Sequence, residues 1–265
     1  MALIGPDFRT ARHGALYRPS NPAGLGQALG IFVVLLIVNQ LVLQLVFSIG
    51  MVALTTGLDN LLASGLADLQ HEFLRATLLS LLPSGLLTAV LAWILAGHGG
   101  FDPGRVLALR VPALGVLGWG IIVGGFVLAL FALFGVLAWV FGLDLTSSGL
   151  VEQAVMQLSG DPLYFLVAGG LIVGAPLAEE LTFRGQIFSA LSTTRLGTLG
   201  ASILTSALWA GVHITQPLPV IPLLFLMGLV LSWILVRFGS LWLTVACHAA
   251  WNSVSAVTLY LASQQ

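Results

Sequence analysis

Polar side chains able to do acid–base chemistry are concentrated in three short stretches near the end of the sequence. These are EELTFR at 179–184, WAGVH at 209–213 and HAAWN at 248–252. Each lies in or beside an apolar stretch long enough to cross a bilayer. An ionisable side chain at the centre of a bilayer costs at least ~2.5–3.5 kcal/mol, so such residues indicate a functional site. A structural ion pair is the alternative for Glu180 with Arg184, but it does not account for the whole set.

The spacing in the first stretch predicts different tasks for its two glutamates. Glu180 and Arg184 are four residues apart, which suits an ion pair on one helix face. Glu179 points about 100° away around the helix and is left for another task. A carboxylate in this position suits a general base. Pro176 just before it frees a backbone carbonyl and kinks the helix, which opens space for water or substrate.

The other two stretches place histidines where they can join the glutamates. His248 and Asn252 are four residues apart, and their donors could hold a developing oxyanion. Trp209 and His213 have the same spacing, so the indole is expected to form a wall of the substrate pocket. Glu180 lies 16 residues before the turn near residue 196 and His213 lies 17 after it, so both reach the same depth.

The third helix reaches the same level if the hairpin around residue 196 projects beyond the lipid. His248 lies nine residues after a turn near residue 239, roughly 14 Å along a helix. The three helices can then converge on one site. That site is expected within the membrane and nearer its cytoplasmic side.

Composition shows what must position these residues. Of 265 residues, 58% are hydrophobic and 7% are charged, whereas a soluble domain carries about 25% charged residues. Lipid-exposed backbone must satisfy its hydrogen bonds internally, so the spans must be helices. The sequence therefore predicts an all-α polytopic membrane protein with about seven to eight transmembrane helices enclosing a catalytic chamber in the C-terminal half. The apolar stretches lie near 29–52, 76–97, 113–142, 162–192, 197–214, 218–237 and 239–262.

Arginines and acidic residues alternate between the two ends of these spans. Basic residues collect in the first segment and in the loops on the same side, namely Arg9, Arg12, Arg18, Arg105, Arg110, Arg195 and Arg237. The opposite loops carry one basic residue, Arg75, and six acidic ones: Asp59, Asp68, Glu72, Asp144, Glu152 and Asp161. Positively charged loops stay in the cytoplasm. The N-terminus is therefore predicted to be cytoplasmic and the C-terminus extracytoplasmic, in the cell (inner) membrane.

The chain divides into a tail and two parts of one membrane domain. Residues 1–28 are predicted to form a cytoplasmic tail, 29–160 a three-span scaffold and 161–265 the catalytic core. Asn39, Gln40 and Gln44 are expected to hydrogen-bond between helices. Glycines four apart, at 120 and 124 and at 170 and 174, allow close helix packing. The sequence shows no internal repeat, which argues against an inverted-repeat transporter.

Several other classes of function lack support. The net charge of −1 argues against a nucleic-acid partner. The single cysteine, Cys247, cannot form an intramolecular disulfide, and it points to another helix face than His248. The Gly-x-Ser-x-Gly and His-Glu-x-x-His patterns of serine hydrolases and zinc proteases are absent from the sequence. His13, His71 and His98 lie in the tail or loops and are expected to be solvated.

The three stretches, in this order, resemble the CAAX protease and bacteriocin-processing family, whose eukaryotic members are the type II CAAX prenyl endopeptidases. The resemblance covers roughly residues 160–260. It rests on Glu-Glu-x-x-x-Arg, an aromatic residue four before a histidine, and His-x-x-x-Asn. Trp209 stands where the family usually has phenylalanine, which changes bulk at a wall position and bears on substrate fit more than on chemistry.

The resemblance implies a helical chamber open towards the cytosol and laterally to lipid, and a glutamate-dependent intramembrane endopeptidase. The implied roles come in three pairs. Glu179 with His213 would activate water, His248 with Asn252 would stabilise the tetrahedral intermediate, and Glu180 with Arg184 would orient the others. The implied substrate is a peptide or a membrane-anchored protein, with or without a lipid anchor. The natural substrate, its cleavage sequence and the oligomeric state cannot be derived from the sequence.

Three alternatives accompany this reading. Two histidines and a glutamate could instead hold a zinc ion with one position open for water, although the resemblance favours a mechanism without metal or other cofactor. A membrane scaffold or bacteriocin immunity factor is the second alternative. The third is a transporter that uses the carboxylates as a proton relay.

Overall fold

The computed structural model describes residues 16–21, 23–55, 57, 66–143 and 149–264, and the regular elements in these ranges are all helical. Three of them are π-helical segments, here π1 to π3. In chain order the elements are α1 Leu25–Ile37, π1 Val38–Leu43, α2 Gln44–Thr55, α3 Leu66–Ala96, α4 Pro103–Val106, α5 Gly115–Phe141, α6 Leu150–Gln157, α7 Tyr164–Gly169, π2 Gly170–Gly174, α8 Ala175–Glu179, π3 Glu180–Ile187, α9 Phe188–Ser192, α10 Gly197–Val212, α11 Val220–Phe238 and α12 Leu241–Ala262.

The helices coincide with the seven predicted apolar stretches. Four of them are long and apolar enough to cross a membrane, namely His71–Ala96, Gly115–Phe141, Tyr164–Ser192 and Val220–Phe238. Leu25–Ile37, Gln44–Leu54 and Gly197–Val212 are shorter apolar helices. α12 is 22 residues long and carries several polar side chains, His248 and Asn252 among them. The chain is therefore a polytopic α-helical membrane protein, as predicted.

Contacts between loops define two ends of the bundle. At the end near residue 196, the Leu241 N–H donates to the Ala108 carbonyl (2.9 Å) and Ser240 Oγ donates to the Arg110 carbonyl (2.5 Å). At the opposite end, Arg75 Nη2 lies 2.7 Å from Asp161 Oδ2. We call these the arginine end and the acidic end, after the loops that reach them.

The Arg75–Asp161 pair fixes α3 against the loop before α7. Burial favours the neutral form of Asp161, but the Leu163 N–H and the Arg75 guanidinium outweigh it, so the pKa of this carboxyl lies below its ordinary value. The ionised form is therefore the one that the fold stabilises.

The segment before α1 packs against the arginine end. The Leu16 and Tyr17 N–H groups both donate to the Val236 carbonyl at 3.1 Å. The buried Tyr17 ring meets Phe188 edge-on at 5.4 Å, and burial raises the pKa of its hydroxyl to about 12. Residues 1–15 of the predicted tail lie outside the described residues. Residues 16–21, however, belong to the packed structure, and α1 begins within the predicted tail at Leu25.

Small residues and one amide join α3 to its neighbours. A Cβ on Gly174 would meet the backbone of α3 at 2.5 Å, and Gly170 is similarly close to that helix. The predicted close contact is thus present at 170 and 174, whereas a Cβ on Gly120 or Gly124 would meet no neighbouring atom within 4 Å. Gln44 bridges to α3 by donating to the Thr77 carbonyl at 3.3 Å. The side chains of residues 39 and 40 lie outside the described residues.

Candidate active site

The helix that carries the glutamates is wound irregularly on both sides of them. The π2 and π3 segments flank α8, which contains Pro176 and Glu179. In π2 the Ala175 N–H reaches back five residues to the Gly170 carbonyl. π-helical turns occur frequently at functional sites, because the wider turn re-aims side chains. The predicted disturbance near Pro176 is thus present as π winding.

Glu180 and Arg184 form the predicted ion pair beneath the site. Arg184 Nη1 lies 3.0 Å from Glu180 Oε1, and both side chains are fully buried. Arg184 Nη2 also donates to the Gly228 carbonyl at 3.4 Å. Its guanidinium carbon lies 4.7 Å from the Trp209 ring centroid, which is within cation–π range. The pair therefore joins the helix of the glutamates to α10 and α11.

His248 bridges the two glutamates. Its Nδ1 lies 3.0 Å from Glu180 Oε1 and its Nε2 lies 3.9 Å from Glu179 Oε2. Arg184 holds Glu180 as a carboxylate, which accepts hydrogen bonds, so His248 Nδ1 carries a proton. The Nε2 atom is then the one that faces the reacting region.

Trp209 contacts Glu179 directly. Its Nε1–H donates to Glu179 Oε2 at 2.5 Å, and the indole is 1% exposed. The sequence predicts Trp209 as a wall, and the hydrogen bond adds a role that phenylalanine could not fill. The pattern Trp-x-x-x-His placed the ring near the site, but nothing in the spacing indicated which way the indole N–H points.

His213 approaches Glu179 from the end of α10. It is the first residue after Val212, and its Nδ1 lies 2.7 Å from the Trp209 carbonyl oxygen. A carbonyl can only accept, so Nδ1 carries the proton and Nε2 is left as an acceptor. That Nε2 lies 4.0 Å from Glu179 Oε2, too far for a direct hydrogen bond but suited to a bridging water.

Asn252 reaches the site through the backbone of π2. Its Nδ2 donates to the Leu171 carbonyl at 2.8 Å. Ala175, four residues after Leu171, donates to Gly170, and Pro176, five residues after, has no N–H. The Asn252 amide thus supplies the donor that this described stretch of helix does not. One of its two N–H groups is used in this way.

The structure therefore brings the predicted residues together in two groups. Direct contacts join six of them: Glu179, Glu180, Arg184, Trp209, His213 and His248. Asn252 belongs to the second group, because its hydrogen bond goes to the Leu171 carbonyl. The residues described here contain no group of three His, Cys, Asp or Glu side chains that could hold a metal ion.

A contact that no sequence pattern predicts holds the turn after His213. Gln216 Nε2 donates to Glu152 Oε1 at 2.8 Å, and the Gln216 N–H donates to the His213 carbonyl at 2.9 Å. Glu152 lies on α6, 64 residues earlier in the chain. Helical spacing relates residues three or four apart, so no local pattern could have paired them.

Comparison with known proteins identifies the region that contains the three motifs. Residues 161–254 match a family model described as type II CAAX prenyl endopeptidase Rce1-like. No curated protein and no solved structure gave a significant match to the chain. The match includes all seven predicted site residues and confirms the predicted resemblance. The family is one of proteases, which have peptide substrates. Residues 161–254 are therefore similar to the type II CAAX prenyl endopeptidase Rce1-like family.

Proposed function

We propose that this protein is a glutamate-dependent intramembrane endopeptidase in which Glu179 activates the attacking water. The observation that carries the proposal is the convergence of two imidazole Nε2 atoms on one carboxylate oxygen, Glu179 Oε2, at 3.9 and 4.0 Å. These gaps admit a water molecule hydrogen-bonded to both partners. Glu179 and His213 are also the most exposed members of the group, at 21% and 27% of their side chains.

In the first step the water attacks the peptide carbonyl carbon. Its proton passes to Glu179, a new C–O bond forms, and the carbonyl π electrons move onto the peptide oxygen. His213 Nε2 accepts the water's other hydrogen and fixes its orientation. General-base assistance of this kind contributes typically 10²–10⁴-fold to the rate.

The resulting oxyanion needs donors. His248 supplies one when its Nε2 is also protonated, and the neighbouring Glu180 carboxylate balances the imidazolium charge at 3.0 Å. The second N–H of Asn252 is the other candidate donor. The intermediate then collapses: the C–N bond breaks, and Glu179 returns the proton to the leaving amine. Fixed donors aimed at a developing oxyanion contribute about 2.7–4 kcal/mol each in other hydrolases.

Glu180 and Arg184 act by position in this scheme. The ion pair sets the direction of His248 Nδ1 and supports the Trp209 ring that hydrogen-bonds Glu179. Because both charges are fully buried, removal of either would leave the other uncompensated, at a cost of about 3–5 kcal/mol.

Zinc-dependent hydrolysis by the same residues is the second candidate. In each histidine the Nδ1–H is held by an oxygen acceptor, which leaves Nε2 directed at Glu179. Zinc-binding histidines have this arrangement, in which the outer nitrogen donates to a carboxylate or carbonyl. Glu179, His213 and His248 would be the ligands, although as placed here they do not form a group that could hold a metal ion. Bound zinc would polarise the carbonyl and lower the pKa of bound water.

The test is cleavage of a fluorogenic, lipidated C-terminal peptide by detergent-purified protein in the presence of a strong chelator. Three proteins are compared: the wild type, Glu179→Gln and the matched control Glu72→Gln, which changes a glutamate on α3 outside the site. The proposal expects chelator-resistant cleavage by the wild type and by Glu72→Gln, and its loss in Glu179→Gln.

The other results discriminate among the alternatives. Wild-type activity that disappears with chelator and returns with zinc would establish the zinc mechanism. Undiminished activity of Glu179→Gln would exclude Glu179 as the base. A wild type that cleaves neither this peptide nor a broad panel of lipidated and unlipidated peptides would favour the scaffold or immunity-factor alternative.

A further inference from the structure

His213 lies just beyond the last residue of α10, so helical hydrogen bonds alone do not fix its position. Its backbone, with φ −92° and ψ 27°, has left the α-helical conformation. The Trp209 carbonyl orients the imidazole from the helix side by accepting from Nδ1. Ile214 and Thr215, which follow, are exposed and belong to no helix. The turn after His213 therefore needs a restraint of its own if Nε2 is to stay 4.0 Å from Glu179 Oε2.

Gln216 supplies this restraint through two hydrogen bonds. Its backbone N–H donates to the His213 carbonyl at 2.9 Å, which closes the turn. Its side-chain Nε2 donates to Glu152 Oε1 at 2.8 Å, which joins the turn to α6. Hydrogen bonds to an ionised carboxylate are shorter and stronger than those between neutral groups. The turn that carries His213 is thus held by a helix far from it in the sequence.

Packing against α3 keeps α6 in place. Two buried residues of α6 lie in one apolar cluster with two buried residues of α3: Ala154 and Val155 with Leu78 and Leu79. A helix as short as α6 is not stable alone in water, so this buried face is what holds it. Glu152 is therefore fixed relative to α3, and its hydrogen bond restrains the turn relative to the same helix.

The residue before α6 leaves room for the contact between Glu152 and Gln216. A Cβ on Gly149 would lie 2.6 Å from Glu152 Oε2 and 3.3 Å from Gln216 Oε1, both shorter than an ordinary van der Waals contact. Glu152 Oε2 is buried and has no hydrogen-bond partner within the described ranges. The carboxylate therefore depends on Oε1 and its bond to Gln216, and a side chain at 149 would displace both groups.

We propose that Gln216 and Glu152 are positioning residues for peptide hydrolysis, because their hydrogen bond holds His213 Nε2 where one water molecule fits between it and Glu179. The proposal rests on the proposed function, in which His213 orients the attacking water. Both residues lie outside the three motifs, and Glu152 lies outside the matched region 161–254. They act through His213, so loosening their contact should lower kcat and leave KM nearly unchanged.

A reciprocal exchange of the two side chains tests the contact. Gln216→Glu places two carboxylates opposite each other, and kcat for the fluorogenic peptide should fall by about 10–100-fold, the range expected when a reacting group is displaced by up to about 1 Å. Adding Glu152→Gln restores an amide N–H opposite a carboxylate, with donor and acceptor exchanged, and should return most of kcat. Gln157→Glu, which makes the same change at an exposed position of α6, is the matched control and should leave kcat unchanged.

Two further variants show whether the effect passes through His213. In a His213→Ala background, Gln216→Glu should lower kcat no further, because the side chain that it positions is gone. Gly149→Ala keeps both members of the contact but displaces them, so it should lower kcat in the same way and replaces Gln216→Glu if that variant misfolds.

Nitrogen NMR of histidine-labelled protein in detergent provides a readout that requires no activity. The His213 Nδ1–H signal, assigned by its loss in His213→Ala, should shift or broaden in Gln216→Glu and return in the exchanged double variant. An unchanged His213 signal in Gln216→Glu would overturn the inference. So would a loss of kcat that the exchange does not restore, or one that persists undiminished in the His213→Ala background. If the wild type cleaves no peptide, the proposed function fails, and the NMR comparison still decides whether the contact positions His213.

Discussion

Replacement of Asn252 by alanine should destabilise the protein through the Leu171 carbonyl. The variant removes the 2.8 Å hydrogen bond from Asn252 to the Leu171 carbonyl. That carbonyl has no helical donor, because the Ala175 N–H donates to Gly170 and Pro176 has no N–H. An unsatisfied buried backbone group costs about 1–3 kcal/mol, whereas interhelical hydrogen bonds in membranes average about 0.6. Because Asn252 and Leu171 are only partly buried, we expect a loss of about 1–2 kcal/mol in the free energy of unfolding.

A second substitution isolates this hydrogen bond from other effects. Pro176→Ala restores an N–H five residues after Leu171, in the register of π2, so alanine at 252 should cost less in that background. Unfolding in mixed detergent micelles, monitored by tryptophan fluorescence, gives the four free energies of a double-mutant cycle. A coupling of about 1 kcal/mol between the two sites is expected.

Additive effects of the two substitutions would refute this explanation of Asn252. The same four proteins also separate position from catalysis. If Asn252 acted on the rate through the shape of π2 alone, the double variant would recover activity together with stability. If its second N–H stabilises the oxyanion as proposed, kcat stays low in the double variant although stability returns.

Three further predictions concern the surrounding contacts. Trp209→Phe keeps an aromatic ring but removes the N–H that donates to Glu179. We expect kcat to fall by about tenfold, which corresponds to one hydrogen bond to a charged group. An unchanged kcat would show that Trp209 only lines the pocket. Arg184→Met should lower the free energy of unfolding by about 3–5 kcal/mol, because Glu180 is left buried and unpaired; a denaturation midpoint equal to the wild type would refute that. Asp161→Asn should lower the melting temperature at pH 7. The difference from wild type should begin to shrink below about pH 4, where the carboxyl of the unfolded chain becomes protonated, and should disappear at still lower pH as the folded carboxyl gains its proton.

Two of these variants have a matched control in the chain. Trp233→Phe changes a largely exposed tryptophan on α11 and should leave kcat unchanged. Asp102→Asn removes a carboxylate that is 60% exposed, and its effect on the melting temperature should be small. A difference between wild type and Asp161→Asn that persists unchanged at pH 3 would contradict the assignment to the ionised carboxylate.

Helical periodicity accounts for what the sequence could predict of the site. Glu180 and Arg184 are paired as their spacing predicts, and counting residues from the turns placed Glu180, His213 and His248 at one level. These are relations within a helix or across a short hairpin, where rise and rotation per residue are fixed. The all-helical fold followed likewise from composition and from the rule that lipid-exposed backbone must bond to itself.

The remaining features depend on tertiary contacts that no local pattern specifies. The predicted angle of about 100° between the Glu179 and Glu180 side chains assumed regular α-helical rotation. The π-helical segment π3 begins at Glu180, and His248 lies close to both carboxylates. Asn252 donates to the Leu171 carbonyl, which lacks a helical donor only because π2 shifts the backbone hydrogen-bond register before Pro176. The contact between Glu152 and Gln216 closes 64 residues of chain and is decided by how α6 packs.

The contacts of Leu16 and Tyr17 with Val236 determine when this segment can fold during synthesis of the protein. The two partners are about 220 residues apart, and a Cβ at Gly239 would lie 2.9 Å from the Leu16 carbonyl, so the docking site includes the turn between the last two helices. The ribosome makes this first segment long before its site exists, and the segment must wait outside the bundle until α11 and α12 have been inserted. Closing so long a loop is entropically costly and delays folding. The segment around Tyr17 should therefore be the last part of the described chain to gain protection from protease during synthesis, after every membrane helix is in place.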